Sequence, residues 1–349
     1  MARLSNRSAH GRALKMNDRD QHRPTSFVCV SLNPAIDKRL RLDRLQPGCV
    51  NRASQAIATP GGKAAHVAMV LRALGADPVW LGFAGGSNGT ALLEGLYSLS
   101  IRTRSVSTAA STRVNLEILE NEGEVTEILE PGFPVTVSET EELRRQYESL
   151  LKASEGKATV ILSGSLPQGL PQDFYATLVK TGRQYGCRFF LDTSGMPLRL
   201  GLKGRPDFVK PNQEEAESLT GTTIEGLDSA RVALEKTLRE GAGSAAVTLG
   251  DNGLVWRDAK RPETLFARIP KIAGASTVGS GDATVAGFAF AAQLRLEPVD
   301  AVRLAVACGA ANCLADLPGR VRLADVERLR SQVQVETLQS REETNTLPC

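Results

Sequence analysis

The segment 276–288 reads STVGSGDATVAGF: three glycines, several hydroxyl residues and one carboxylate, Asp282, ahead of a run of small and apolar residues. An unpaired carboxylate beside a buried helix is expensive. Its use is therefore a helix cap or an active site. Consecutive backbone N–H groups in Gly279-Ser280-Gly281, opening a helix, form a concave anion site that the helix dipole reinforces. If that anion is a phosphoryl group in transfer, Asp282 stands where it could accept the proton of an attacking hydroxyl. Two further stretches carry comparable chemistry. In PGGKAAHVA (60–68), Gly61 and Gly62 open a helix and could let backbone approach a sugar or phosphate, or could simply start that helix. In KPNQEEAESL (210–219), Asn212 and Glu215 lie three apart at a strand-to-helix junction. That spacing suits a hydrated magnesium ion near phosphates, and equally a capping box. No G-x-G-x-x-G follows the first strand and no G-x-x-x-x-G-K-[ST] occurs, against a dinucleotide-binding dehydrogenase or a P-loop enzyme.

The elements that must position these residues alternate. Apolar strands are expected at FVCVSL (27–32), PVWLGFAGG (78–86), ATVILSGS (158–165), RFFLDTS (188–194), DFVKPN (207–212) and AAVTLG (245–250). The first is followed directly by Asn33, and each of the others ends in Gly, Ser or Asn. Helical patterns fill 63–74, 89–99, 139–153, 171–185, 213–220, 227–240, 281–294, 298–315 and 323–332. This alternation predicts an α/β fold, a mainly parallel sheet flanked by helices on both faces, with ligands bound beyond the carboxyl ends of the strands. Residues 37–58 and 111–130 instead read as half-exposed strands without helices between them, which predicts a small antiparallel β lid.

Composition bounds the rest. At 349 residues and 42% hydrophobic, the chain can bury a full core. No apolar run approaches the roughly 20 residues of a membrane span. The stretch before Phe27 lacks the apolar segment of a secretory signal and reads as a disordered basic tail; Met16 could be the true start. It carries six Lys/Arg against two Asp, of 42 basic and 39 acidic residues in all, so the body is near neutral. Nucleic acid and membrane are not expected partners. Six cysteines without C-x-x-C spacing read as reduced thiols of a cytoplasmic protein. The expected organisation is a tail (1–26), one α/β domain (27–338) and a short C-terminal tail (339–349). Of three histidines two are in the tail, so a His-based triad would rest on His66 alone, and no nucleophile motif accompanies it.

Taken in order, GGKAAHVA, NQEE and TVGSGDATVAG resemble the signatures of the PfkB/ribokinase family of sugar kinases, from about Phe27 to about Leu338. SLNPAID, VNRASQ, TEILEPG, SGSLPQGLPQDFY and LDTSG are similar to segments of its 1-phosphofructokinase and tagatose-6-phosphate kinase branch. The resemblance implies a ribokinase-like fold, ATP and Mg2+ as cofactors, and a ketohexose monophosphate as the substrate. It implies Asp282 as general base and Gly279, Ser280 and Gly281 as anion hole. Asp37, Gly61 and Gly62 would be sugar ligands, Arg113 a phosphate clamp and Ser165 a further substrate contact. Lys210, Asn212 and Glu215 would lie near the nucleotide phosphates and metal, and Thr248 and Gly250 at the nucleotide-binding strand end. The family usually reads G-G-K-G-x-N where this chain has Ala64 and His66. The Ala64 methyl is expected to crowd the sugar site, and His66 to pair with a substrate phosphate and alter specificity. A kinase of an unphosphorylated sugar, or an idle sugar-phosphate sensor, are the competing readings. The lid strands could pair between subunits in a homodimer.

Overall fold

Phe27–Ser31 (β1) is buried at every residue. Its side chains alternate between two cores: Phe27 and Cys29 join one, Val28 and Val30 the other. A strand covered on both faces needs a continuous apolar run, which is what FVCVS supplies. The computed structural model describes residues 27–272 and 276–338; the two expected tails lie outside the described residues.

After β1 come the lid strands β2 (Ala35–Leu42) and β3 (Gln55–Gly61), then α1 (Lys63–Ala73), β4 (Pro78–Ala84), α2 (Gly86–Ser98) and β5 (Arg102–Ser107). The lid resumes with β6 (Arg113–Glu120) and β7 (Val125–Leu129), followed by α3 (Val137–Ala153), β8 (Thr159–Ser163), α4 (Phe174–Arg183) and β9 (Arg188–Asp192). Next are α5 (Gly195–Leu202), β10 (Phe208–Val209), α6 (Gln213–Thr220), α7 (Leu227–Arg239) and β11 (Ser244–Thr248). The chain closes through β12 (Leu254–Asp258), β13 (Thr264–Arg268), α8 (Ser280–Gln293), α9 (Pro298–Cys313), α10 (Leu323–Arg330) and β14 (Gln334–Leu338).

The large sheet has the order β14-β13-β12-β11-β10-β9-β8-β1-β4-β5. From β11 to β5 all pairs are parallel; β12, β13 and β14 add an antiparallel edge that the alternation did not foretell. The chain leaves β1 towards β4 and β5, then returns on the other side through β8, β9 and β10. The strand order therefore reverses between β1 and β8, where a crevice opens at the carboxyl ends. Helices α1, α2, α8, α9 and α10 cover one face, and α3 to α7 the other.

The lid is a four-stranded sheet of order β3-β2-β6-β7. Its outer pairs are antiparallel, but β2 and β6 run parallel, with Asp37 opposite Asn115 and Arg39 opposite Glu117. The expected antiparallel lid is thus mixed at its centre, because β6 follows β2 only after the long excursion through β3, α1, β4, α2 and β5 rather than by a hairpin. That register sets Asp37, Arg39, Asn115 and Glu117 on one face.

Helices α8 and α9 approach through Gly287, where a Cβ would lie 2.6 Å from Ala305 Cα. Gly287→Ala must force the pair apart and should lower unfolding stability by about 1–3 kcal/mol. Urea melts would check this, and an unchanged midpoint would contradict the packing account.

Candidate active site

Two helix N-termini converge at the crevice. α1 begins at Gly62 (φ 84°) and α8 at Gly279 (φ 81°), and neither N-cap supplies a side-chain hydrogen bond. Positive φ is easy only for glycine, and an uncapped first turn leaves N–H donors and the positive dipole end for an anion. The surrounding cleft, about 1030 Å³, is lined by strand-end residues including Ser31, Ser163, Lys210 and Thr248, and by the lid's lower face.

Asp282 sits in the first turn of α8 and is only 6% exposed. Its carboxylate does not cap the helix. Oδ2 is instead 2.8 Å from Nδ1 of His66. His66 Nε2 in turn lies 2.8 Å from Oδ2 of Asp37 on β2, a close charge contact off the line of an N–H bond. Burial alone would push the imidazole towards neutrality, but the two carboxylates overturn that and lift it up to about 10. Burial likewise tends to raise Asp37, yet His66, Asn115 Nδ2 at 2.8 Å and the Gly62 N–H hold its carboxyl below the ordinary range.

A second charged cluster forms another part of the floor. Asp192, fully buried at the end of β9, lies 3.4 Å from both Lys63 Nζ and Lys210 Nζ. Its burial favours the neutral acid, but Lys210 and then Lys63 outweigh this and hold the carboxyl below its usual value. Lys210 reaches the anion cradle: a Cβ on Gly281 would lie 3.3 Å from its Nζ. Asn212 and Glu215 form a reciprocal capping box, Glu215 N–H to Asn212 Oδ1 at 2.8 Å and Asn212 N–H to Glu215 Oε2 at 2.9 Å. Glu215 Oε1 remains outside the box, 4.0 Å from Lys63 Nζ. Cap and ligand are therefore compatible uses of the same pair.

At the lid end, Arg113 donates from Nη1 to the Glu130 carbonyl (2.6 Å) and from Nη2 to the Asn33 carbonyl (3.1 Å). Its Nε, Asn33 Oδ1 and Asn115 Oδ1 are buried without partners. Orphaned polar atoms of this kind around a cleft call for a polar ligand. Asn33 Nδ2 donates to Ser165 Oγ at 2.9 Å, across the reversal point of the sheet.

The comparisons agree with this geometry. Residues 26–319 match the description "pfkB family carbohydrate kinase". The chain belongs to the pfkB family of carbohydrate kinases. A 1-phosphofructokinase of Xanthomonas campestris pv. campestris is 36% identical over 274 residues, covering 76% of this chain and 83% of that protein. Phosphofructokinase-2 from Escherichia coli, solved in complex with substrates and products, superposes with a TM-score of 0.81 at 26% identity, covering 88% of this chain and 98% of that one.

Most of the expected residues of this kinase come together. Asp37, Gly62, His66, Arg113, Ser165, Lys210, Asn212, Glu215, Thr248, Gly250, Gly279, Ser280, Gly281 and Asp282 all line the one cleft. Three expectations need correction. Gly61 does not face the cleft; a Cβ there would fall 2.2 Å from Asp37 Cγ, so the glycine makes room for that carboxylate. Ala64 is fully buried in the core and does not crowd a ligand, because its position on α1 points into the molecule. Nδ1 of His66 is bonded to Asp282 and Nε2 lies against the Asp37 carboxylate, so both ring nitrogens face carboxylates of the protein. Sequence reasoning missed Lys63, Asp192, Asn33 and Asn115. Lys63, Asp192 and Asn33 lie in segments already quoted for their resemblance and Asn115 two residues after Arg113, but only the fold pairs Lys63 with Asp192 or Asn115 with Asp37.

His66 gains its charge on folding, so its stabilising contribution is complete below about pH 6.5, the ordinary imidazole value, and is lost as pH rises through about 10. Thermal melts from pH 6 to 10.5 should show a larger fall for the native chain than for His66→Asn. Parallel curves would contradict the charged bridge.

Proposed function

We propose that this kinase transfers the γ-phosphoryl group of ATP to a hydroxyl of a ketohexose monophosphate, giving the 1,6-bisphosphate and ADP. The observation that carries the reading is the placement of Asp282. Its Oδ2 is bound to His66, and no hydrogen bond among the described residues engages Oδ1. The carboxylate stands in the first turn of α8, beside the N–H groups of Gly279 and Gly281 and close to Lys210, while the Ser280 N–H closes a turn onto the Thr277 carbonyl. In this reading Asp282 takes the proton from the acceptor hydroxyl as its oxygen bonds to the γ-phosphorus. The bond between that phosphorus and the bridging oxygen breaks and ADP leaves. The Gly279 and Gly281 amides and Lys210 hold the charge on the transferred group. Mg2+ bound to the nucleotide would neutralise phosphate charge, with Glu215 Oε1 and Asn212 meeting its water shell.

The nucleotide is assigned to the side of the cleft lined by Thr248, Gly250, Leu254, Ile272 and Ala310, where a flat apolar base has contact area. The sugar phosphate is assigned to the lid side, with Asp37 and the orphaned amides on its hydroxyls and Arg113 Nε on its phosphate. The 36%-identical relative bears the name 1-phosphofructokinase, which favours fructose 1-phosphate over tagatose 6-phosphate. One observation supports an unphosphorylated sugar instead: the two terminal nitrogens of Arg113 are already bound to carbonyls. Exposed Ile128 and Leu129 on β7 support the lid as a surface for a second copy.

Among the described residues no helix is long and apolar enough to cross a membrane.

ADP release over fructose 1-phosphate, fructose 6-phosphate, tagatose 6-phosphate and free hexoses separates these readings. A sugar monophosphate should exceed the free sugars in kcat/KM by roughly 10- to 100-fold, the value of a hydrogen bond to a charged group. Equal rates on free hexoses would remove the phosphate-clamp role of Arg113. Asp282→Asn should bind both substrates and lose about 10²- to 10⁴-fold in turnover; native turnover would refute the base.

A further inference from the structure

The residue at 66 does something an asparagine could not. Its ring lies in the first turn of α1, with one nitrogen against a carboxylate from the lid and the other against a carboxylate from α8, each at 2.8 Å. An amide offers donors at one end and an acceptor at the other, so it could satisfy one of these carboxylates only by turning its oxygen on the second. A protonated imidazole has a donor at each end.

The ring has little freedom to leave. It is 4% exposed, and its backbone is pressed by the loop after α9, where a Cβ on Gly319 would come within 3.0 Å of His66 Cα. Asp37 is fixed from behind by Asn115 Nδ2 and by the space that Gly61 leaves for it. The other charged groups facing this trio are Glu127 of β7, Arg113 of β6 and Lys63 on the same helix, all farther away.

We propose that His66 is a positioning residue of this kinase: it holds Asp282 by Oδ2 so that Oδ1 meets the acceptor hydroxyl, and it links the orientation of that base to Asp37 on the lid. The inference rests on the reading of Asp282 as general base. Without the bridge the Asp282 side chain is free to rotate, and two buried carboxylates face one space with no cation between them. Turnover is then lost through misorientation, and nucleotide binding, which lies on the far side of the cleft, is spared.

The test combines kinetics with ring NMR. His66→Asn and His66→Leu should each lose roughly 10- to 100-fold in kcat, with KM for ATP within about twofold of native and thermal unfolding still cooperative. In long-range 1H–15N spectra of the full chain, only three histidines contribute, the other two at positions 10 and 22. The His66 ring should be doubly protonated at pH 8.5 in the native kinase and should become neutral there in Asp282→Asn or Asp37→Asn. A native-like kcat in both His66 variants, or a neutral native ring at pH 8.5, overturns the proposal. If Leu disrupts folding, the Asn variant and the native spectrum still decide it. Failure of the base reading looks different: Asp282→Asn would then turn over like the native protein, whereas loss of the bridge alone leaves Asp282→Asn inactive and the His66 variants fast.

Discussion

A carboxylate can be buried at the start of a helix only if something charged or strongly hydrogen-bonding meets it. At Asp282 that partner is His66, and the rest of the site follows from the pairing. His66 is presented by α1, whose first turn is aimed at the same crevice as that of α8 because both helices start from a positive-φ glycine. The far side of the ring is met by Asp37, which ties β2, and with it the lid, to the crevice where the two helices start. One imidazole thus joins the helix that holds the proposed base, the helix that flanks it and the sheet that covers it.

A second link ties the lid to the anion cradle. Arg39 and Glu117 form a buried bidentate pair at 2.8 and 2.9 Å, opposite one another in the parallel centre of the lid. Ser276 Oγ donates to Glu117 Oε1 at 2.6 Å, and Arg39 also donates to the Asp316 carbonyl. The loop entering α8 and the loop leaving α9 are therefore both fastened to the lid's lower face. A buried pair of this kind does little for net stability but fixes a unique arrangement when all its donors are used. Here the arrangement brings Gly279–Gly281 under the lid.

Much of this was legible beforehand. The order of apolar strands and helical patterns gave the parallel sheet, and the placement of glycines and polar residues at strand ends located the cleft. β5 and the antiparallel edge were not legible. RTRSVS is almost wholly polar and lies on an edge, β12 and β13 are short strands that continue from β11 by tight reversals, and β14 pairs with β13 from a distant part of the chain. The inward face of Ala64 and the space-making role of Gly61 were hidden for a related reason: residue type reports what a position tolerates, not which way it points. The Asn212–Glu215 pair was legible as either cap or ligand, and the structure supplies the cap while leaving an oxygen free. For His66 the sequence marked the departure from the usual asparagine, but only the fold shows that the ring faces two carboxylates.

The most direct test of the account is a crystal structure of the kinase with fructose 1-phosphate and a non-hydrolysable ATP analogue. The account predicts the acceptor hydroxyl within hydrogen-bonding distance of Asp282 Oδ1, in line with the γ-phosphorus above the Gly279 and Gly281 amides, with Oδ2 still on His66 Nδ1. A hydroxyl bound away from Asp282, or a γ-phosphate away from the α8 N-terminus, would contradict it.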